Sequence, residues 1–204
     1  MTLTLVELDQ GVTYWRDKTS WDRDFHHDFY RHMASANPHG AFDDAWWADF
    51  LPELRKWRAT RPRGSAFLTS RAQKRFSELG QVWELTVEPN LGHDVATLDW
   101  PQISAFQALV GEIKDVTSPV FTSKFCHFLA PAIFPVVDNT AMGNPFPTYE
   151  ACFTTFRAEW LSTDEIARQA LVFRLAELID APLADGYPIK NKIVEICLIG
   201  RNQG

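Results

Sequence analysis

Apolar residues recur at helical spacing along most of this 204-residue chain, and that period constrains the fold more than any other sequence feature. Trp47, Phe50, Leu51 and Leu54 follow the i, i+3, i+4, i+7 pattern that places side chains on one helical face. The segment 103–113 repeats the pattern. We therefore expect an all-α fold, a compact multi-helix domain over residues 1–204. Two helical lobes with a cleft between them are the alternative arrangement, with a candidate boundary near 86–97.

Short polar residues and glycines indicate where the helices start and end. Ser65 is a candidate N-cap, and Ser162 with Glu165 fits a capping box. The C-terminal IVEICLIG is compatible with a helix or a buried strand; we interpret it as a helix ended by Gly200. The opening LTLVEL (3–8) is interpreted as a short extended segment.

The composition is that of a folded protein without a membrane span. Hydrophobic residues make up 46% of the chain, but no run approaches the ~18 apolar residues of a membrane helix. The N-terminus lacks a basic region followed by an apolar stretch, so we expect no secretory signal. Three cysteines without metal-ligand spacing favour reduced thiols, and hence a cytoplasmic protein.

The charge of the chain is unevenly distributed. The net charge of -6 argues at first against a nucleic-acid partner. The segment 55–75, however, carries +8 and no acidic residue, so the remainder carries -14. Such a basic surface can receive phosphates; a solvated helix face balanced by nearby acids is the alternative. The candidate nucleic-acid contacts in this segment are Arg55, Lys56, Arg58, Arg61, Arg63, Arg71, Lys74 and Arg75.

The stretch TSKFCHFLAPAIFPVVDN (122–139) places a lysine among phenylalanines. Ser118 followed by Pro119 is a helix start, and Pro131 predicts that the helix ends near Leu129. Lys124 then lies at the edge of the apolar stripe. It can extend its ammonium to water, or it can occupy a partly dry pocket where a lowered pKa produces a neutral, nucleophilic amine.

The apolar connector APAIFPVVD (130–138) ends on a single carboxylate, Asp138. The residues 139–142 can begin a short helix with Asp138 as N-cap. That structural role does not exclude a functional one. A carboxylate beside a pocket can also face a developing positive charge.

Ser123-Lys124 and the Pro135–Asp138 segment resemble, in the same order, two elements of the helix-hairpin-helix DNA glycosylase superfamily. The resemblance covers about 25 residues. It departs from the family in a hairpin without glycine, in a short Lys-to-Asp spacing and in the lack of the cysteine cluster that holds an iron–sulfur centre in some members. We expect neither a cofactor nor a metal.

The resemblance implies a DNA N-glycosylase that excises a modified or damaged base, with lyase activity left open. Lys124 would attack the sugar carbon and form a Schiff base, and Asp138 would stabilise the positive charge on the sugar. The partner would be duplex DNA with the target nucleotide extruded. The basic segment would hold phosphates, and Thr122 and Ser123, near a helix start, could contact another.

The sequence also contains other candidate sites. Asp24, His27, Asp28 and His32 could align on a helix for a metal, or form a solvated face. His127 could reach the Lys124 region or pack structurally. Lys190, Lys192 and Arg201 are candidates for a further basic surface.

The rival functions are a non-catalytic helical module that binds nucleic acid or a protein, and a metal-dependent enzyme built on the Asp/His cluster. The base, DNA against RNA, repair against defence towards foreign DNA, and the oligomeric state are not determined by the sequence.

Overall fold

The structure is a computed structural model that describes residues 2–18, 30, 32, 41–114, 119–143, 146–179, 183 and 186–203. All regular structure in these residues is helical, which confirms the predicted all-α class. The α-helices described are α1 (Leu5–Lys18), α2 (Asp44–Lys56), α3 (Ser65–Gln73), α4 (Phe76–Thr86), α5 (Ser104–Lys114), α6 (Pro119–Leu129), α7 (Tyr149–Ser162), α8 (Glu165–Ile179) and α9 (Ile189–Arg201). None of them is long and apolar enough to cross a membrane.

Helix α6 lies within the core. Every residue from Phe121 to Leu129 is buried, so the helix is covered on all sides and not only along one stripe. Its bounds agree with the start at Pro119 and the end at Leu129 that the prolines predict. Ser118, the predicted cap, is outside the described residues.

An aromatic layer joins α2 to α6. Asp43 caps α2 by accepting a hydrogen bond from the amide of Trp46 at 2.8 Å. The helix then presents Phe50, whose ring lies 4.9 Å from that of Phe125 and edge-on to it. Trp46 stacks on Phe50 at 4.7 Å. Such rings bury large apolar areas, so this layer fixes α2 against α6.

The helices α1 and α9 pack closely against each other at two glycines. The opening segment, expected to be extended, is instead helix α1, and it packs against α9. A Cβ on Gly11 would lie 2.0 Å from the Ile196 carbonyl oxygen, and one on Gly200 would lie 1.9 Å from the Glu7 carbonyl oxygen. Gly200 therefore does not end the last helix, which continues to Arg201; it permits a close helix crossing.

Two predicted caps are also replaced by neighbouring residues. Gly64 occupies the N-cap position of α3, and Ser65 is the first helical residue. Asp164, not Ser162, caps α8, because its carboxylate accepts the Ala167 amide at 2.9 Å. Both replacements lie within two residues of the predicted cap.

The segment 86–97, which is the candidate lobe boundary, is hydrogen-bonded to the connector that precedes Asp138. Val87 and Val95 are fully buried, and the Val95 amide donates to the Ala132 carbonyl at 3.0 Å.

Candidate active site at Lys124 and Asp138

Helix α6 buries the side chain of Lys124, which is only 7% exposed. Its Nζ donates to the carbonyl oxygen of Trp57 at 2.8 Å and lies 5.8 Å from the centre of the Trp57 ring. The lysine therefore does not extend into water; it caps the C-terminal end of α2. Its hydrogen-bond acceptor is neutral, so this contact does not require the lysine to be charged.

Burial lowers the pKa of Lys124 from its ordinary value. The negative charges of Asp138 and Glu195 oppose this effect, and the positive charges of Lys192 and Arg58 add to it. A lysine with a lowered pKa has a larger neutral fraction near pH 7, and the neutral amine is the nucleophilic form.

The connector before Asp138 is held by three side chains from three different helices. The Ser123 hydroxyl of α6 accepts the Val137 amide at 3.1 Å. The Tyr149 hydroxyl of α7 donates to the Pro135 carbonyl at 2.6 Å. The Asn191 amide of α9 donates to the carbonyls of residues 131 and 132 at 2.7 and 3.1 Å.

Asp138 caps a single helical turn, as its position predicted. One carboxylate oxygen accepts the Ala141 amide at 3.0 Å, and the Asp138 carbonyl accepts the Met142 amide at 2.9 Å. The second carboxylate oxygen has no hydrogen-bond partner among the described residues. Asp138 is half-buried, so its side chain is partly accessible to solvent.

The charge of Asp138 acts on Lys124 without an ion pair between the two side chains. The aspartate charge raises the pKa of the lysine, yet neither side chain has an ion-pair partner in the described part of the chain. The two groups thus belong to one electrostatic cluster. An ion pair would hold the lysine in its charged form; without one, the amine can lose its proton.

Sequence reasoning missed the other half of this cluster, which lies on α9. Lys192 Nζ pairs with Glu195 Oε2 at 2.5 Å, and their side chains are only 1% and 2% exposed. Lys192 Nζ also lies 5.5 Å from the Tyr30 ring and 5.9 Å from the Trp57 ring. Lys192 was expected on a basic surface; the structure places it in the interior. The only sequence signal was a Lys–Glu pair at i, i+3 between apolar neighbours.

His127 is a structural residue. Its Nδ1 lies 2.6 Å from the Phe134 carbonyl, which can only accept, so Nδ1 carries the proton. Nε2 then accepts from the Tyr30 hydroxyl. Burial, together with the charge of Lys192, lowers the pKa of His127 to about 3, against a weaker opposing effect of the Phe134 carbonyl. The imidazole is neutral near pH 7, and both of its nitrogens are bonded inside the protein.

Comparisons with known proteins add no relative to this description. No protein-family model, curated protein or solved structure matches the chain. The geometry of the cluster and the short motif are therefore the features of this chain that bear on its function.

The basic segment divides into two groups. Arg71 donates to the carbonyls of Glu112 and Ile113 at the end of α5, and Arg75 pairs with Glu78 and Glu112. Both were candidate DNA contacts, but these intramolecular bonds occupy them. Lys56 pairs with Glu53 at 2.6 Å.

The remaining basic residues are exposed: Arg55, Arg58, Arg61, Arg63 and Lys74. Arg58 directly follows Trp57, whose carbonyl binds Lys124. This exposed basic surface therefore begins at the candidate site.

Ser123 and Thr122 are not placed as the resemblance implied. Ser123 is fully buried, and its hydroxyl is bonded inside the protein, so it is not available to a phosphate. Thr122 is 4% exposed and lines a groove of about 740 Å³ between α5, α6 and the start of α7. Two residues along a helix turn through about 200°, so this groove lies on the side of α6 away from Lys124.

Most of the alternative metal site lies outside the described residues. Asp24, His27 and Asp28 lie outside them, and His32 is exposed. The described part of the chain contains no cluster of three metal-ligating side chains. Lys190 pairs with Asp94, and Arg201 pairs with Glu7 and Glu159, so the expected C-terminal basic surface is neutralised.

Proposed function

We propose that this protein is a DNA N-glycosylase that excises a modified or damaged base, with Lys124 as nucleophile and Asp138 as the stabilising carboxylate. The observation that supports this most strongly is a buried amine without an ion-pair partner whose pKa is affected by the charge of the half-buried carboxylate of Asp138. The order of Ser123-Lys124 and Pro135–Asp138 in the sequence supports the same reaction.

The chemistry requires a neutral amine at 124. Its lone pair attacks the sugar C1′ as the bond from C1′ to the base breaks, and the base leaves with that electron pair and takes up a proton. Positive charge develops on the sugar during this step, and the free carboxylate oxygen of Asp138 stabilises it. The attached nitrogen then loses its proton. Opening of the sugar ring, with protonation of the ring oxygen, produces a Schiff base.

The exposed arginines give this site a means of holding DNA. Arg55, Arg58 and Arg61 have no ion-pair partner among the described residues, so their charges are available to phosphates. Since the basic surface begins at Trp57, a bound backbone would pass close to the amine of Lys124. An extruded nucleotide is the form in which C1′ can reach a buried amine.

A non-catalytic helical module is the competing account, and one observation favours it. Lys124 and Asp138 both have structural roles, as the cap of α2 and the cap of the turn after the connector. If these roles are the whole explanation, the amine never reacts. The experiment must therefore detect a covalent bond.

Borohydride trapping provides that test. The protein is incubated with duplexes that each carry one modified base, or one abasic site, and the Schiff base is reduced to a stable secondary amine. We expect a covalent adduct with wild type and none with Lys124→Gln, which keeps a donor for the Trp57 carbonyl. The absence of adduct and of abasic product across a broad panel would refute the glycosylase proposal.

Lys114 offers a matched control. It is 3% exposed, its Nζ donates to the Ala59 carbonyl at 2.8 Å, and burial lowers its pKa. In the described structure, however, no carboxylate contributes to that pKa. We expect Lys114→Gln to form the adduct as wild type does. Equal loss of adduct in both variants would indicate a loss of folding and not of a nucleophile.

A further inference from the structure

A second buried lysine, Lys192 on α9, lies close to the same tryptophan ring as Lys124 and pairs with a carboxylate that also affects Lys124. Two lysines, Lys124 and Lys192, both lie within 6 Å of the Trp57 ring. One fully buried carboxylate, Glu195, is close enough to act on the pKa of Lys124. That carboxylate is bonded to Lys192 at 2.5 Å, and Lys124 is bonded to a backbone carbonyl.

The hydrogen-bond partner of each lysine affects how easily that lysine loses its proton. A lysine bonded to a buried carboxylate is held as an ammonium, whereas a lysine bonded to a carbonyl can lose its proton and keep the hydrogen bond through a remaining N–H. The spacing of Lys192 and Glu195 at i, i+3 on one helix makes their pairing local and persistent. Lys124, from a different helix, is left without a charged partner.

We propose that Lys192 is a positioning residue for the nucleophile: it engages Glu195 and so leaves the Lys124 amine bound to a carbonyl and free to react. The inference rests on the proposed function for its catalytic meaning. The hydrogen-bond partner of each lysine is a structural feature that does not depend on the proposed function.

Several charged or titratable groups surround this arrangement, and a test must separate their effects. They are Asp138 on the connector, Lys192 and Glu195 on α9, Arg58 after α2, Lys114 on α5, His127 on α6, and Tyr30 beside Lys192. Burial raises the pKa of Glu195, against the effect of Lys192. Removal of Lys192 therefore leaves Glu195 in need of another cation, and Lys124 is the lysine available.

The test is a direct titration of Lys124 by NMR on lysine-labelled protein, with the resonance assigned from Lys124→Gln. We expect Lys192→Met to raise the pKa of Lys124 by about one unit, the scale of a new charge contact. Lys192→Arg, which keeps the charge, should stay near wild type. Lys192→Met combined with Glu195→Leu should reverse the rise. An unchanged or lowered pKa in Lys192→Met would overturn the proposal.

A second variant keeps the test decisive if Lys192→Met does not fold. Glu195→Gln should lower the pKa of Lys124, because it removes a negative charge from the cluster; an unchanged or raised value would again overturn the proposal. If Lys192 and Glu195 had only a structural role, both variants would be less stable, but the pKa of Lys124 would not shift in opposite directions in the two variants. Since the titration uses no DNA, it is independent of trapping: failure of wild type to form an adduct would refute the glycosylase and leave this result standing.

Discussion

The hydroxyl of Ser123 accepts a hydrogen bond from the backbone amide of Val137 at 3.1 Å, with both residues fully buried. Ser123 precedes Lys124, and Val137 precedes Asp138. One hydrogen bond thus fixes the segment that carries the amine against the segment that carries the carboxylate. It holds together two segments that lie 14 positions apart in the sequence.

The first prediction concerns that bond. Ser123→Ala leaves the Val137 amide buried without a partner, so we expect the free energy of unfolding to fall by about 1–3 kcal/mol. The rate of adduct formation should also fall, because Asp138 is no longer held in place. Chemical denaturation and borohydride trapping measure the two effects. Ser70→Ala, at an exposed position on α3, should change neither; a stable Ser123→Ala with full activity would contradict the assigned role.

Asp138→Asn separates the capping role from the charge. Asparagine is as good an N-cap as aspartate, so stability should stay within about 0.5 kcal/mol of wild type. If Asp138 stabilises the sugar as proposed, base release should slow strongly, because the stabilising negative charge is lost. Single-turnover base release on duplex substrate measures this. Asp164→Asn, at the exposed cap of α8, is the control and should release base at the wild-type rate; equal rates in all three proteins would remove Asp138 from the mechanism.

The exposed arginines next to Trp57 should set the salt dependence of DNA binding. Each arginine that neutralises one phosphate contributes about one unit to the slope of log affinity against log salt. Arg55→Ala and Arg58→Ala should each reduce that slope by about one. Arg16→Ala, exposed on α1, should leave it unchanged. Fluorescence anisotropy at several salt concentrations provides the measurement, and equal slopes would exclude this surface as the binding face.

His127 should make the protein less stable in acid. Its pKa is about 3 in the folded protein and about 6.5 in an unfolded chain. Between those values the unfolded chain binds the extra proton, so stability falls as the pH falls. The linked loss between pH 6.5 and pH 5 is about 2 kcal/mol. Denaturation at both values should show a smaller loss in His127→Gln than in wild type or in His93→Gln, whose histidine is exposed; an identical loss would contradict the assignment.

The sequence predicted those features that depend on local chemistry. Pro119 at the first position of α6 and Pro131 after its end mark the bounds of the helix, and the carboxylate of Asp138 caps the turn that follows the connector. Helical periodicity correctly indicated the all-α class. These predictions held because the deciding interactions lie within a few residues of each other.

Features decided by distant contacts could not be predicted. The alternating pattern at residues 3–8 suggested an extended segment, but packing on α9 through Gly11 makes it helical. Lys192 and Glu195 have the spacing of an exposed ion pair, and only the packing of α9 buries them. Arg71 and Arg75 were candidate DNA contacts, and their partners at Glu112 and Ile113 could not be predicted because they are some forty residues away.

The identity of the residue that bonds to DNA tests the central claim most directly. The reduced adduct is digested with protease and nuclease, and the modified peptide is mapped by mass spectrometry. The account predicts that the sugar remnant is on Lys124. A remnant on Lys114, on the N-terminal amine or on any other lysine would contradict it.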